Sequence, residues 1–161
     1  MIALPIIKNI SKKKLAGLHL SMSLTENKTG LLWQSFMPKL AQIKHAVNSD
    51  LISLQVYAPD YFEHFNPTNS FEKWACTEVT TFDDLPEGFT TLLLAEGLYA
   101  VFHYKGLNTD TSIFQYIYGV WLPSSLYVLD NRPHFEVLGE KYKNNDPNSE
   151  EEIWIPIKLK S

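Results

Sequence analysis

The stretch RPHFEVLGEKY, Arg132–Tyr142, carries the strand on which the fold turns. Phe135, Val137 and Leu138 are strand-forming residues, and Glu136 sits among them. A carboxylate inside an apolar strand either points to water or occupies a pocket that needs its charge. The core of the stretch, FEVL (Phe135–Leu138), echoes LQVY (Leu54–Tyr57), about 80 residues earlier in the chain.

Two further echoes keep nearly the same displacement. Trp74 falls 19 residues after Gln55, and Trp154 falls 18 after Glu136. A helix closes or kinks at Phe36-Met37-Pro38, and a second closes at Trp121-Leu122-Pro123, because proline disfavours helix before it and has no backbone N–H to donate. Alternation and β-branched or aromatic content predict strands at 14–24, 51–57, 71–79, 91–95, 99–105, 134–138 and 153–158. Helical spacing predicts helices over 29–47 and 110–122.

The order strand, helix, strand, strand therefore occurs twice, in pseudo-repeats of about 12–80 and 90–160. The expected architecture is α+β: one domain spanning 1–161, a tandem repeat of strand-helix-strand-strand modules, with side-by-side antiparallel sheets and two helices on one face. Leu32, Phe36, Leu40, Ile43 and Val47 form the first helix's apolar stripe. A central groove follows near the pseudo-twofold axis, and such seams commonly hold ligands. Glu136 in one half matches Gln55 in the other.

Size and charge narrow the function classes. At 161 residues the chain can bury a sizeable core. Its net charge of -4 and the single basic run Lys12-Lys13-Lys14 argue against direct nucleic-acid binding. Cys76 is the sole cysteine, which excludes an internal disulfide, fits a reducing compartment and reads as a buried, inert thiol. The N-terminal stretch MIALPIIKNISKKK has too short an apolar core for a signal peptide, and no segment offers the ~20 apolar residues of a membrane span. A cytoplasmic protein is expected. No phosphate-cradling glycine pattern occurs, and the five histidines show no metal-like spacing with each other or with Cys76, so no cofactor or metal is expected. His19 and His103 could face the groove or the surface. NSEEE (Asn148–Glu152) reads as a solvated hairpin edge.

Alternation places His134, Glu136 and Leu138 on one strand face and Phe135 and Val137 on the other. That face could be wet, or it could be the floor of an aromatic cleft. In the second case Glu136 would await a positive partner, and a wall drawn from Trp33, Phe36, Tyr57, Tyr116, Trp121 and Tyr127 would add cation–π attraction.

Taken in order, GLYAVFHYKG (Gly97–Gly106), IFQYIYGVWLP (Ile113–Pro123) and RPHFEVLGEKYKNNDPNSEEEIWIPIK (Arg132–Lys158) resemble the GyrI-like effector-binding family. That family also forms the C-terminal sensor of many AraC- and MerR-type transcription regulators. The first half, LLWQSFMPKLAQIKHAVNSDLISLQVY (Leu31–Tyr57), fits the same pattern, so the resemblance runs from about Lys12 to near the end. It implies a tandem-repeat fold with a central groove, and a groove glutamate, matched by Glu136, that contacts cationic ligands. It also implies groove aromatics at Trp121 and Tyr99, with Trp33 and Tyr57 as further matches. Only eleven residues precede Lys12, so a stand-alone sensor without a helix-turn-helix segment is expected.

The expected function is binding of a cationic or amphipathic aromatic small molecule, with Glu136, Trp121, Tyr99, Trp33 and Tyr57 as the site. Two alternatives come with the resemblance. One is hydrolysis of reactive electrophiles, with Glu136 activating water and Tyr99 or Tyr127 donating a hydrogen bond. The other is contact with a protein partner, as in the gyrase-inhibitor members, through the aromatic loop YAPDYFEHFNP (Tyr57–Pro67).

Overall fold

The computed structural model describes residues 4–161; Met1–Ala3, the start of the N-terminal stretch read above, lie outside the described residues. The strands are β1 (Ile6–Ile10), β2 (Lys13–Met22), β3 (Leu51–Val56), β4 (Phe71–Glu78), β5 (Thr90–Leu94), β6 (Gly97–Lys105), β7 (Tyr127–Leu129), β8 (His134–Leu138) and β9 (Glu150–Leu159). Helix α1 (Thr29–Phe36) follows β2, and helix α2 (Ser112–Tyr116) follows β6. The architecture is α+β, as expected, and every ladder is antiparallel.

The two expected sheets are fused into one. Strand order is β1-β6-β9-β8-β3-β4-β2-β5, with β7 pairing β9 on a separate short ladder. Read outward from the β3–β8 junction, each side runs through the same kinds of strand: β4 then β2 on one flank, β9 then β6 on the other. The junction itself is a ladder from Leu51↔Leu138 to Gln55↔His134.

Proline chemistry shapes both helices. Pro38 has no N–H to donate, and α1 stops at Phe36, giving way to a tighter 3₁₀ stretch, Met37–Gln42. The expected helix to residue 47 is therefore cut short: Ile43 is already extended, and Val47 is exposed instead of completing the stripe. Leu32 and Phe36 are buried, with Leu40 and Ile43 packed against them. The second helix passes through a wider π-helical turn, Ile117–Trp121, and ends in one further turn, Leu122–Ser124, that contains Pro123. β1 and β7 were not read as strands in the sequence. β1 is an exposed edge strand paired only with β6, and β7 has three residues, too few to show alternation.

The sheet buries both faces. α1 covers Leu18, Leu20, Ala75 and Leu51, while the second helix covers Ala100, Phe102, Ile153, Ile155 and Ile157. The opposite face gathers Leu15, Ile52, Leu54, Trp74, Leu94, Tyr99, Val101, Phe135 and Trp154 into one core, which requires the sheet to curl over that side. Gly17 lies at a close approach there: a Cβ would run into the Ala75 carbonyl and Cys76. Between the clusters under the two helices, Ser53, Gln55, His134 and Glu136 at the centre of β3 and β8 face the helix side of the sheet, where a ligand cleft is expected. Among the described residues no helix is long and apolar enough to cross a membrane.

Phe135 joins the halves on the core face, stacking on Trp154 at 5.1 Å and tilting onto Tyr99 at 5.2 Å. Phe135→Ala is expected to cost about 3–5 kcal/mol in urea denaturation, as buried Phe truncations do. A loss below about 1 kcal/mol would mean that the halves are held elsewhere.

Candidate ligand-binding cleft

The cleft floor follows from register, since directly opposed residues of an antiparallel sheet share a face. Ser53 lies opposite both Ala75 and Glu136, and Gln55 lies opposite both Lys73 and His134. Glu136 in turn opposes Ile153, which the second helix covers. Glu136, Gln55, Lys73 and His134 therefore point to the helix side, and the alternation expected for β8 holds. Gln55 Nε2 donates a hydrogen bond to Glu136 Oε2 at 3.2 Å. The two residues that echo each other in sequence thus meet across the junction.

Glu151 adds a second carboxylate. It lies two residues before Ile153 on β9 and shares that strand face, so the hairpin-edge reading of NSEEE fails for this residue. Glu136 keeps some accessible surface, yet enough protein surrounds its carboxylate that burial raises its pKa, against the opposing pull of Lys73 and the Gln55 hydrogen bond. Glu151 is pushed up to about 7 by burial first and by the charge of Glu136 second. Burial lowers the Lys73 amine, while both carboxylates pull it back up. Burial also raises the Tyr57 hydroxyl, with the charge of Glu136 adding to it, and Tyr142 is raised by burial and by the charges of Glu151 and Glu136. Two carboxylates, one amine and one amide thus share the helix-side face of the central strands, and the charges of the carboxylates act on the Tyr57 and Tyr142 hydroxyls.

An aromatic wall closes one end. The 57–67 loop folds inward, burying Tyr61 and laying Phe62 on Tyr118 at 5.0 Å and on His134 at 5.2 Å, both near-parallel. Tyr57 touches Tyr61, Phe62, Phe71 and His134. Tyr118 hydroxyl and His134 Nδ1 share a 2.9 Å hydrogen bond, and burial holds His134 down at about 3, so it stays neutral. Outside this wall lies a cavity of about 500 Å³, lined by Tyr57, Phe62 and His134 together with Leu122, Tyr127, Arg132 and Lys158. Glu136 does not line this cavity; it lies one strand step behind His134.

Of the five expected site residues, the structure brings Glu136 and Tyr57 together and leaves three elsewhere. Tyr99 is fully buried on the opposite face, its hydroxyl donating to the Pro133 carbonyl at 2.8 Å. Trp121 is half-buried against the second helix's cluster, edge-on to Phe102 at 5.1 Å and near-parallel to Tyr127 at 6.4 Å. Trp33 packs edge-on to Phe36 in the α1 cluster. His19 and His103 are on the far face, each with a ring nitrogen 2.9 Å from a carboxylate oxygen, of Glu72 and Glu150, and Cys76 is buried, its thiol donating to the Ile52 carbonyl. Lys73, Glu151, Phe62 and Tyr118 were missed. The parity of β4, which sets Lys73 with Ala75 and Thr77, was the signal available for Lys73. Among the described residues no group of three or more His, Cys, Asp or Glu is placed to hold a metal ion.

The model of the Cass2 family, described as integron-associated effector binding protein, matches residues 6–157. No curated protein matches the chain. Among solved structures, an integron cassette protein from the mobile metagenome of Vibrio cholerae has a TM-score of 0.67 at 17% identity, covering 97% of each chain. SAV2435, solved bound to tetraphenylphosphonium, has a TM-score of 0.73 at 14% identity, covering 98% of this chain and 94% of its own. The C-terminal domain of EcmrR has a TM-score of 0.71 at 13% identity, covering 99% and 100%. At these identities the likeness is one of fold.

The raised Glu151 carboxyl has a consequence for stability. An acid held at about 7 in the fold, against 4.5 for a free glutamate, supports the folded state below about 4.5, and that support is lost as pH rises through 7. Glu151→Gln is expected to match the parent near pH 4.5 and to exceed it at pH 8 by about 1–2 kcal/mol, after allowance for partial exposure. Thermal melts at the two pH values check this; an equal shift at both would remove the buried-acid account.

Proposed function

The chain belongs to the family of integron-associated effector binding proteins, and from that membership and the cleft we propose that it binds a cationic or amphipathic aromatic small molecule. Glu136 supplies the counter-charge, and Tyr57, Phe62 and Tyr118 supply the apolar surface. One observation carries the reading: a desolvated carboxylate on the cleft floor is held by one neutral hydrogen bond, from Gln55, beside an aromatic wall. A small hydrated ion gains little from such a wall, whereas an aromatic cation gains about 0.5–2 kcal/mol per ring face together with burial of its own apolar area. That SAV2435 shares the fold and was solved with tetraphenylphosphonium supports this ligand class. The halves at about 12–80 and 90–160 act in this reading as one binding domain, in the cytoplasm, where Cys76 stays reduced.

The alternative functions draw less from the geometry. Hydrolysis through Glu136 needs a tyrosine donor; the Tyr99 hydroxyl is committed to Pro133 on the other face, and Tyr127 lines the outer cavity, which Glu136 does not. The aromatic loop caps the cleft with Tyr61 and Phe62, leaving Phe65 as its exposed aromatic, 55% accessible. That is a small surface for a protein partner.

Calorimetric titration with tetraphenylphosphonium tests the proposal. Binding in the micromolar range is expected, about -8 kcal/mol. Glu136→Gln should lose roughly 2 kcal/mol or more, near 30-fold in Kd. An unchanged Kd in a folded variant would return Glu136 to a structural role.

A further inference from the structure

Arg132 and Lys73 are both sheltered cations, and the fold treats them differently. Arg132 is built into the frame: Nη2 donates to the carbonyls of Leu98 and Ile157 at 2.6 and 3.1 Å, and Nε donates to Asp130 at 2.8 Å. Its guanidinium also lies 4.7 Å over the Tyr99 ring. Only Nη1 lacks a partner. This is how a chain satisfies a structural cation, with fixed acceptors on several sides.

Lys73 has none of these. It sits on β4 directly opposite Gln55, on the cleft face. Among the described residues no hydrogen-bond acceptor engages its amine and no carboxylate lies within the 4.0 Å of an ion pair. Among the described residues Nη1 of Arg132 is the one buried side-chain polar atom without a partner, so the unpartnered Lys73 amine is not fully sealed, and register places its residue on the same face as Gln55. Glu136 and Glu151 act on it through their fields and do not contact it. A lysine is a compact point charge with three donors, so an ammonium sheltered in this way is left with donors for something that enters.

We infer that Lys73 is a second recognition point, and that the cleft selects an amphipathic aromatic zwitterion whose cationic end meets Glu136 and Glu151 and whose anionic end meets Lys73. The inference rests on the cation-binding reading above and narrows it. A ligand carrying only a cation would leave the Lys73 amine without an acceptor and would set its own charge against it. A ligand carrying both charges would answer all three ionisable groups on the floor. Lys73 is thus a specificity residue, and Glu136 an affinity residue.

Rhodamine B and its ethyl ester form the test pair, because the ester removes the carboxylate and keeps the delocalised cation. Fluorescence titrations on the parent should give the acid about a tenfold lower Kd than the ester. Lys73→Met should abolish that preference and tighten the ester, while Lys73→Arg, which keeps the charge, should retain the preference for the acid. Circular dichroism establishes that each variant is folded. Equal Kd values for the two dyes on the parent, or a preference that survives in Lys73→Met, would overturn the inference while leaving cation binding intact. Ester binding unaffected by Glu136→Gln, or no binding of either dye, would overturn the cation-binding reading together with it.

Discussion

The register pairs between β3 and β8 join two half-sheets that would otherwise each end in an unpaired edge, open to aggregation. The pairing is antiparallel, so it carries its own local two-fold, and residues that echo each other in the sequence flank that axis. Ser53 opposes Glu136 and Gln55 opposes His134, which makes Gln55 and Glu136 diagonal neighbours close enough for the 3.2 Å hydrogen bond. The same ladder puts Phe135 and Leu54 on the core face. One pairing therefore sets both the hydrophobic closure of the sheet and the polar floor of the cleft, and a one-residue slip would exchange the two.

Much of this is legible in the residues. The FEVL and LQVY echo, the two tryptophan spacings and the proline stops locate the elements, and the strand His134–Leu138 has the bounds read from the sequence. The alternation that sets Glu136 opposite in sense to Phe135 and Val137 is legible for the same reason: a half-buried strand has period two. What alternation cannot give is which element covers a face. Tyr99 and Trp121 are as aromatic as any pocket residue, yet Tyr99 falls on the side toward which the sheet curls and Trp121 packs against its own helix's cluster. Both outcomes depend on tertiary placement. Lys73 and Glu151 were hidden differently. Each stands in a run with other charged residues, Glu72-Lys73 and Glu150-Glu151-Glu152, where charge suggests solvent and only the strand phase separates the inward residue from its neighbours.

The electrostatics of the floor differ from those of a structural ion pair. A buried pair holds a structure only when the Coulomb gain and the accompanying hydrogen bonds outweigh desolvation, which demands close and saturated geometry. Arg132 and Asp130 approach that condition, with Nε on Oδ2 at 2.8 Å. Glu136, Glu151 and Lys73 do not: their charges influence one another, but the single hydrogen bond among them and Gln55 is a neutral donor on one carboxylate oxygen. Such a set weakens the fold relative to an apolar floor. Sites that must recognise charge commonly carry perturbed groups of this kind, which is why the cluster points to binding in place of packing.

The aromatic loop decides what a ligand can gain. Phe62 already lies against Tyr118 and His134, so the protein's own ring occupies the stacking positions and keeps the apolar surface from water. A flat ligand that enters by displacing Phe62 exchanges one pair of stacking contacts, each worth about 0.5–1.5 kcal/mol, for another of similar size. The aromatic part of such an exchange is close to neutral. The charged part is not, because Phe62 offers nothing to Glu136, Glu151 or Lys73. In the proposed reading, the net gain then comes from charge and from burial of the ligand's own apolar area, because the stacking exchange cancels.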